Sequence, residues 1–82
     1  MIWTIHAWEE YISWQEIDKK IVKRINELLK ECLPTPFEGK GKPEPLIGDL
    51  SGFWSRRITD EHRLVYKVSD NSISVIQCKN HY

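Results

Sequence analysis

No run in this chain approaches the ~20 consecutive apolar residues of a membrane-spanning helix. Its opening Met1-Ile2-Trp3-Thr4-Ile5 is too short for the apolar core of a secretory signal, has no basic segment before it, and is interrupted soon after by His6. Cysteine is scarce. Cys32 and Cys78 stand alone, with no Cys-x-x-Cys pair, no zinc-ligand spacing and no disulfide framework. Both are expected to be buried, reduced thiols, which suits a cytoplasmic protein. Neither sign of charge is in excess, since 12 Lys and Arg balance 12 Asp and Glu, so composition does not suggest nucleic-acid binding. Internal repeats and low-complexity segments are also missing. At 82 residues the chain is long enough for one domain, spanning 1–82, and too short for two.

What the chain does have is aromatic bulk and unevenly distributed charge. A domain this small buries only about 60% of its unfolded surface, so large side chains must supply much of the core; Trp3, Trp8, Trp14 and Trp54 fit that need. Residues 1–18 carry four acids and no Lys or Arg, whereas residues 19–42 carry seven bases against three acids. The local excess of +4 would attract a polyanion, and it is equally the pattern of a solvated helix face.

Ile2 to Ile5, β-branched and aromatic, predicts a short first strand. Ala7 to Ile17 takes a helical period, with Trp8, Tyr11, Ile12 and Gln15 on one face and Trp14 beside it. Glu9 and Glu10 then fall in the first turn, where the helix dipole favours acids. Asp18 is placed to cap a second helix, Lys19 to about Leu33, whose stripe is Ile21, Val22, Ile25, Leu28, Leu29 and Cys32. Pro34 and Pro36 end it. The next ten residues, Phe37 to Leu46, hold two glycines, two prolines, two lysines and two glutamates, a loop composition. Gly39-Lys40-Gly41-Lys42 lacks P-loop spacing and follows no strand, which excludes an NTP site. Residues 51–66 read as a β-hairpin about the connection Thr59-Asp60-Glu61-His62. Asp70-Asn71-Ser72 turns the chain into a last strand, Ser72 to Lys79. The fold class is α+β: two N-terminal helices packed on one face of a mainly antiparallel, twisted sheet.

Three features of this layout carry chemistry. Glu44 sits between Pro43 and Pro45, which hold it extended and so pre-position its carboxylate. In the hairpin, Phe53, Ser55 and Arg57 alternate with Trp54, Arg56 and Ile58, and Leu64 and Tyr66 alternate with Arg63 and Val65. An arginine fixed on a strand can hold a phosphate through its planar fork, or can merely solvate an exposed sheet face. His81, one residue before the last, is either a frayed tail or an acid whose charged form the terminal carboxylate of Tyr82 favours. Tyr82 could stack on an unpaired base. His6 and His62 read as a strand-end and a loop residue rather than ligands. The set worth assembling is Glu44, Arg57, Arg63, His81 and Tyr82. Metal-free RNA cleavage needs a base for the 2′-hydroxyl, a cation at the phosphate and an acid for the departing 5′-oxygen, and these residue types supply all three. DNA, without that hydroxyl, would be refused. A glutamate with an ordinary pKa of about 4.3 is a weak base at neutral pH, so burial or hydrogen bonding is expected to tune it.

Several blocks together resemble toxins of the YoeB type, within the RelE/ParE superfamily. They are Thr35 to Leu46, Leu50 to Ile58, Glu61-His62-Arg63-Leu64-Val65-Tyr66 and the terminal His81-Tyr82, with Trp14-Gln15-Glu16, Asp18-Lys19 and Ile25-Asn26-Glu27-Leu28 in agreement. The resemblance covers essentially the whole chain. It implies a RelE-like fold and a toxin of a type II toxin–antitoxin module that cleaves mRNA in the ribosomal A site. By the same resemblance Glu44 is the general base, His81 the general acid and Arg63 the phosphate-stabilising cation, with Arg57 assisting and Tyr82 orienting substrate. No metal or cofactor is implied. The implied partners are a cognate antitoxin, mRNA and the ribosome, operator DNA only through the antitoxin complex, and a second copy of the chain as a homodimer. After Pro45-Leu46 the family often has a basic pair where this chain has Ile47-Gly48, so one positive charge near the scissile phosphate is missing. Two other classes remain open: a ParE-like toxin that inhibits DNA gyrase without nuclease activity, and a corepressor acting only with its antitoxin. The terminal His-Tyr and the Pro-Glu-Pro loop speak against the first.

Overall fold

The computed structural model describes residues 1–81, with elements β1 (Ile2–Trp3), α1 (Ile5–Ile17), α2 (Lys19–Cys32), β2 (Glu44–Pro45), a single 3-10 turn (Gly48–Leu50), β3 (Phe53–Arg57), β4 (Arg63–Ser69) and β5 (Ser72–Gln77). The strands form a five-stranded sheet in the order β1-β5-β4-β3-β2. β1 runs parallel to β5, and the other three pairings are antiparallel. The expected α+β architecture is what the chain adopts.

The first helix starts earlier than its periodicity predicts. Thr4 is extended and its Oγ1 accepts from the Ala7 N–H at 3.1 Å, so Ile5 and His6 join the first turn and the strand shrinks to two residues. Glu9 and Glu10 consequently lie beyond the first turn. Glu10 ties the helix to the sheet instead: its Oε1 accepts from the Cys78 N–H at 2.8 Å, and its Oε2 lies 3.1 Å from His6 Nε2. The buried side of α1 also differs from expectation. Ala7 and Trp14 are buried, with Tyr11 packed against the core, whereas Trp8 and Ile12 remain about half exposed and Gln15 is exposed. Trp8 stands outside the core against Trp3 and Tyr11, with ring centroids 5.6 and 5.7 Å away.

Asp18 caps the second helix as expected, and it also closes the first. Its N–H donates to the Trp14 carbonyl at 2.9 Å, and its Oδ1 accepts from the Lys20 N–H at 2.9 Å. Along α2, Ile25, Leu28 and Cys32 are buried, with Ile21, Val22 and Leu29 beside them. These residues meet Ile58, Leu64, Tyr66, Ile73, Val75 and Cys78 to form the core between helices and sheet. Trp14 contributes a polar link as well, its Nε1 donating to the Cys78 carbonyl at 2.8 Å.

Within the segment expected to be all loop, Glu44 and Pro45 form a strand, pairing with Ser55 and Trp54. Proline is tolerated there because β2 is the sheet edge and has no second neighbour needing its N–H. The expected β3–β4 hairpin is present, with Arg57 opposite Arg63 and the polar connection between them.

Candidate functional site

Strand register decides which side chains share a surface. Residues directly opposite each other across a ladder point the same way, and so do residues two apart on one strand. Glu44 faces Ser55, Ser55 faces Val65, and Arg57 faces Arg63. Glu44, Arg57 and Arg63 therefore lie on one side of the sheet, while Trp54, Arg56, Leu64 and Tyr66 occupy the other, beneath the helices. Glu44 lies two interstrand spacings, roughly 10 Å, from β4, level with Val65 and two residues along the strand from Arg63. Glu44 and Arg57 are exposed.

Arg63 is buried at 8% exposure, because its guanidinium folds back on the hairpin connection. Its Nη1 donates to the carbonyls of Thr59 at 2.6 Å and of Asp60 and His62 at 3.1 Å each. A cation held by three neutral carbonyls keeps its charge and loses its freedom, the condition for meeting an anion in one orientation. His81 comes to the same corner through its neighbour. The Asn80 carbonyl accepts from the Arg63 N–H at 3.0 Å, and the Asn80 N–H donates to His62 Nδ1 at 2.8 Å. His81, which is exposed, thus leaves the chain beside the start of β4. Tyr82 lies outside the described residues.

Among the described residues, the fold brings Glu44, Arg57 and Arg63 to one face and the backbone of His81 to its edge. A hollow of about 250 Å³ beside Glu44 is lined by Pro45, Leu46, Ile47 and Leu50 and reaches neither Arg63 nor His81. A groove of about 590 Å³ lies away from this face, on the helical layer, where Lys19, Lys23 and Lys30 rim it. That groove accounts for part of the basic excess seen in residues 19–42. Among the described residues, no three His, Cys, Asp or Glu side chains cluster closely enough to hold a metal ion.

Arg56 follows neither of the two expectations for hairpin arginines. It has no exposed surface and faces the core. Its Nε donates to Tyr66 Oη at 3.1 Å, its Nη1 to the Lys40 carbonyl at 3.0 Å, and its Nη2 to the carbonyls of Thr35 and Glu38, the latter at 3.0 Å. Tyr66 Oη passes the link on to the Pro36 carbonyl at 2.7 Å. One guanidinium thus staples the 35–40 loop to the sheet, and that loop leads into Glu44. The available signal was its place in the alternation with Trp54 and Ile58, since an arginine on an apolar face must find partners inside. Arg24, one of the seven bases in residues 19–42, donates from Nη2 to the Arg57 carbonyl at 3.2 Å and adds a cation near that strand end. Both cysteines are free and buried as expected. Burial pushes the Cys78 thiol up to about 12, with the charge of Glu10 adding to the effect, and it raises Cys32 against the opposing pull of Arg56. Neither thiol is a nucleophile in this state.

Comparison with known proteins agrees with this architecture. Residues 3–82 match the family model of the YoeB-like toxin of bacterial type II toxin–antitoxin systems. The chain is 62% identical over 82 residues to Toxin YoeB of Escherichia coli strain K12, covering 100% of this chain and 98% of that one. The solved YoeB/ParE toxin from Agrobacterium tumefaciens superposes with a TM-score of 0.94 at 51% identity, covering 99% of this chain and 96% of the other. The Staphylococcus aureus YoeB–YefM complex gives a TM-score of 0.92 at 50% identity, covering 99% and 94%, and the same relative has been solved as a dimer. With the sheet, the helical hairpin and the sequence all in agreement from Trp3 onward, the chain belongs to the YoeB-like toxin family of bacterial type II toxin–antitoxin systems.

Proposed function

We propose that this toxin is a metal-independent endoribonuclease that cuts mRNA in the ribosomal A site, halts translation, and is neutralised in the cytoplasm by a cognate antitoxin. In this reading Glu44 takes the proton of the 2′-hydroxyl, and the freed oxygen attacks the adjacent phosphorus. Arg63, with Arg57, holds the phosphate while charge builds on its oxygens. The bond from phosphorus to the 5′-oxygen breaks as His81 delivers a proton to it, leaving a cyclic phosphate on one fragment. Tyr82 is assigned the stacking of a base.

The observation that carries this reading is the common face of Glu44, Arg57 and Arg63, with His81 following the residue bonded to the Arg63 backbone. The exposure of Glu44, Arg57 and His81 among the described residues also favours a ribosome-dependent enzyme over a free nuclease, because the ribosome would supply both orientation and cover. Ile47-Gly48, beside Glu44, offers no cation, so RNA binding is expected to depend on salt less steeply by roughly one unit of slope than in relatives with a basic pair. The complex of the S. aureus relative with YefM supports an antitoxin as partner; the antitoxin is expected to lay a partly disordered segment over the basic and aromatic surface and to fold on binding.

Primer extension on a translated message, with purified toxin and with or without ribosomes, tests the reading. Cuts that need ribosomes, and that vanish in Glu44→Ala and His81→Ala, are expected. Growth arrest by the Glu44→Ala, His81→Ala double variant would instead assign the protein to a non-catalytic class.

A further inference from the structure

The residue that aims His81 is one that the catalytic reading leaves unused. Both backbone groups of Asn80 are held by consecutive residues of the hairpin, its N–H by His62 Nδ1 at 2.8 Å and its carbonyl by the Arg63 N–H at 3.0 Å. Asn80 has a φ of +65°, in the left-handed region that asparagine tolerates better than most side chains. The chain therefore changes direction at the clamped residue, and His81 is the next to leave it. The clamp is no continuation of the sheet, whose β4–β5 ladder ends at Val65 and Gln77. The His62 ring is itself fixed: it meets the Trp14 ring edge-on at 4.7 Å with the planes at 75°, and the buried Trp14 is anchored to the Cys78 carbonyl. Thr59 Oγ1 accepts from the His62 N–H at 3.2 Å, and Gln77 Nε2 supports the Lys79 carbonyl at 3.0 Å and that of Asn80 at 3.3 Å.

We propose that His62 is a positioning residue, whose neutral ring accepts from the Asn80 amide and thereby sets where His81 stands relative to the phosphate on Arg63. This rests on the reading of His81 as general acid. The ring must carry its proton on Nε2, because a doubly protonated imidazole has donors at both nitrogens and nothing to accept with. Acidification then sets two donors against each other and releases the tail. The charged and titratable groups on the elements that meet at the ring are the Lys79 ammonium, 5.3 Å over the Trp14 ring, the Arg63 guanidinium on the His62 carbonyl, Asp60 and Glu61 in the connection, Glu10 on α1 and His81 in the tail.

Asparagine at position 62 supplies an acceptor near the place of Nδ1 and cannot be protonated, which makes the test specific. The protection factor and shift of the Asn80 amide are measured by NMR from pH 8 to pH 5 in the wild type, His62→Asn and His62→Ala, beside ribosome-dependent cleavage. The wild-type amide is expected to be protected at pH 8 and to lose protection on acidification. His62→Asn should keep protection throughout, and His62→Ala should show none. Cleavage by His62→Ala should fall about tenfold, the rate equivalent of one hydrogen bond, in kcat rather than KM. His62→Asn should recover it and carry activity to lower pH. An Asn80 amide that is indifferent to His62→Ala overturns the clamp. A clamp lost without any change in cleavage overturns the positioning role, as does a His62→Asn variant no better than His62→Ala. If the amides behave as expected and the wild type makes no cut, the nuclease reading fails and the clamp stands.

Discussion

A guanidinium without exposed surface destabilises a fold unless its donors find acceptors, and those of Arg56 reach Tyr66 Oη and the carbonyls of Thr35, Glu38 and Lys40. Removing that side chain strands three carbonyls at once and takes from the Tyr66 hydroxyl the donor it accepts from, leaving that hydroxyl its bond to the Pro36 carbonyl. Arg56→Met is therefore expected to lower the unfolding free energy by about 3 kcal/mol in urea titrations. Arg56→Lys should recover less than half of the loss, since an ammonium cannot fork between a hydroxyl and carbonyls on separate turns. Gly41 meets the same arginine from the other side. With φ at +82°, and with a Cβ that would stand 3.0 Å from both Arg56 Cβ and Leu28 Cδ2, it has no room for a side chain. Glu44 makes the contrast, because it is exposed on the edge strand. Glu44→Gln should leave the urea midpoint within the range of about 0.5 kcal/mol typical of surface changes, while ribosome-dependent cleavage drops by about a hundredfold or more.

Where chemistry is local, the elements could be read from the sequence. Asp18 offers one carboxylate to the start of α2 and one N–H to the end of α1, and an acid just before an apolar-periodic run is a sufficient signal for it. Asp18→Ala is expected to cost about 1 kcal/mol, measurable as a lower thermal midpoint with the helical signal of the folded state retained. Thr4 was harder to see, because Ile2, Trp3 and Ile5 favour a strand on their own, and β1 is shaped by a parallel pairing with β5 some 70 residues away. In α1 two stripes competed, one through Trp8, Tyr11 and Ile12 and one through Ala7, Tyr11 and Trp14. Side-chain bulk favoured the first. The small Ala7, which is fully buried, belongs to the second. The site divides in the same manner. Alternation and the hairpin put Arg57 and Arg63 on one face, and the flanking prolines mark Glu44 as extended. By contrast, the bonds from Arg56 to the 35–40 loop and from Asn80 to His62 join residues 16 to 21 and 18 positions apart, and no local pattern encodes them.

At the scale of the whole molecule, the helical layer and the segment after β5 meet at Cys78. Its N–H donates to Glu10, its carbonyl accepts from Trp14, and its Sγ lies 3.6 Å from the Ala7 carbonyl. Burial raises this thiol to about 12 and also raises Cys32 and the Tyr66 hydroxyl. An unfolded chain releases thiol protons near pH 8.5 to 9, so in alkali the unfolded state gives up protons that the folded state retains. For a group raised in this way, the stabilising contribution is complete below the unfolded value and is lost as pH climbs toward the folded one. The window set by Cys78 thus runs from about pH 9 to about 12. Within it Cys78 is expected to remove about 1.4 kcal/mol of stability per pH unit. Urea midpoints should stay level from pH 7 to about 8.5 and fall steeply above 9, and Cys78→Ala should fall less steeply because one titrating group is gone. Since Cys78 precedes the Asn80 clamp by two residues, the same measurement bears on cleavage. Loss of activity above pH 9 that tracks the unfolding midpoint, and is delayed in Cys78→Ala, belongs to the fold rather than to the chemistry at the phosphate.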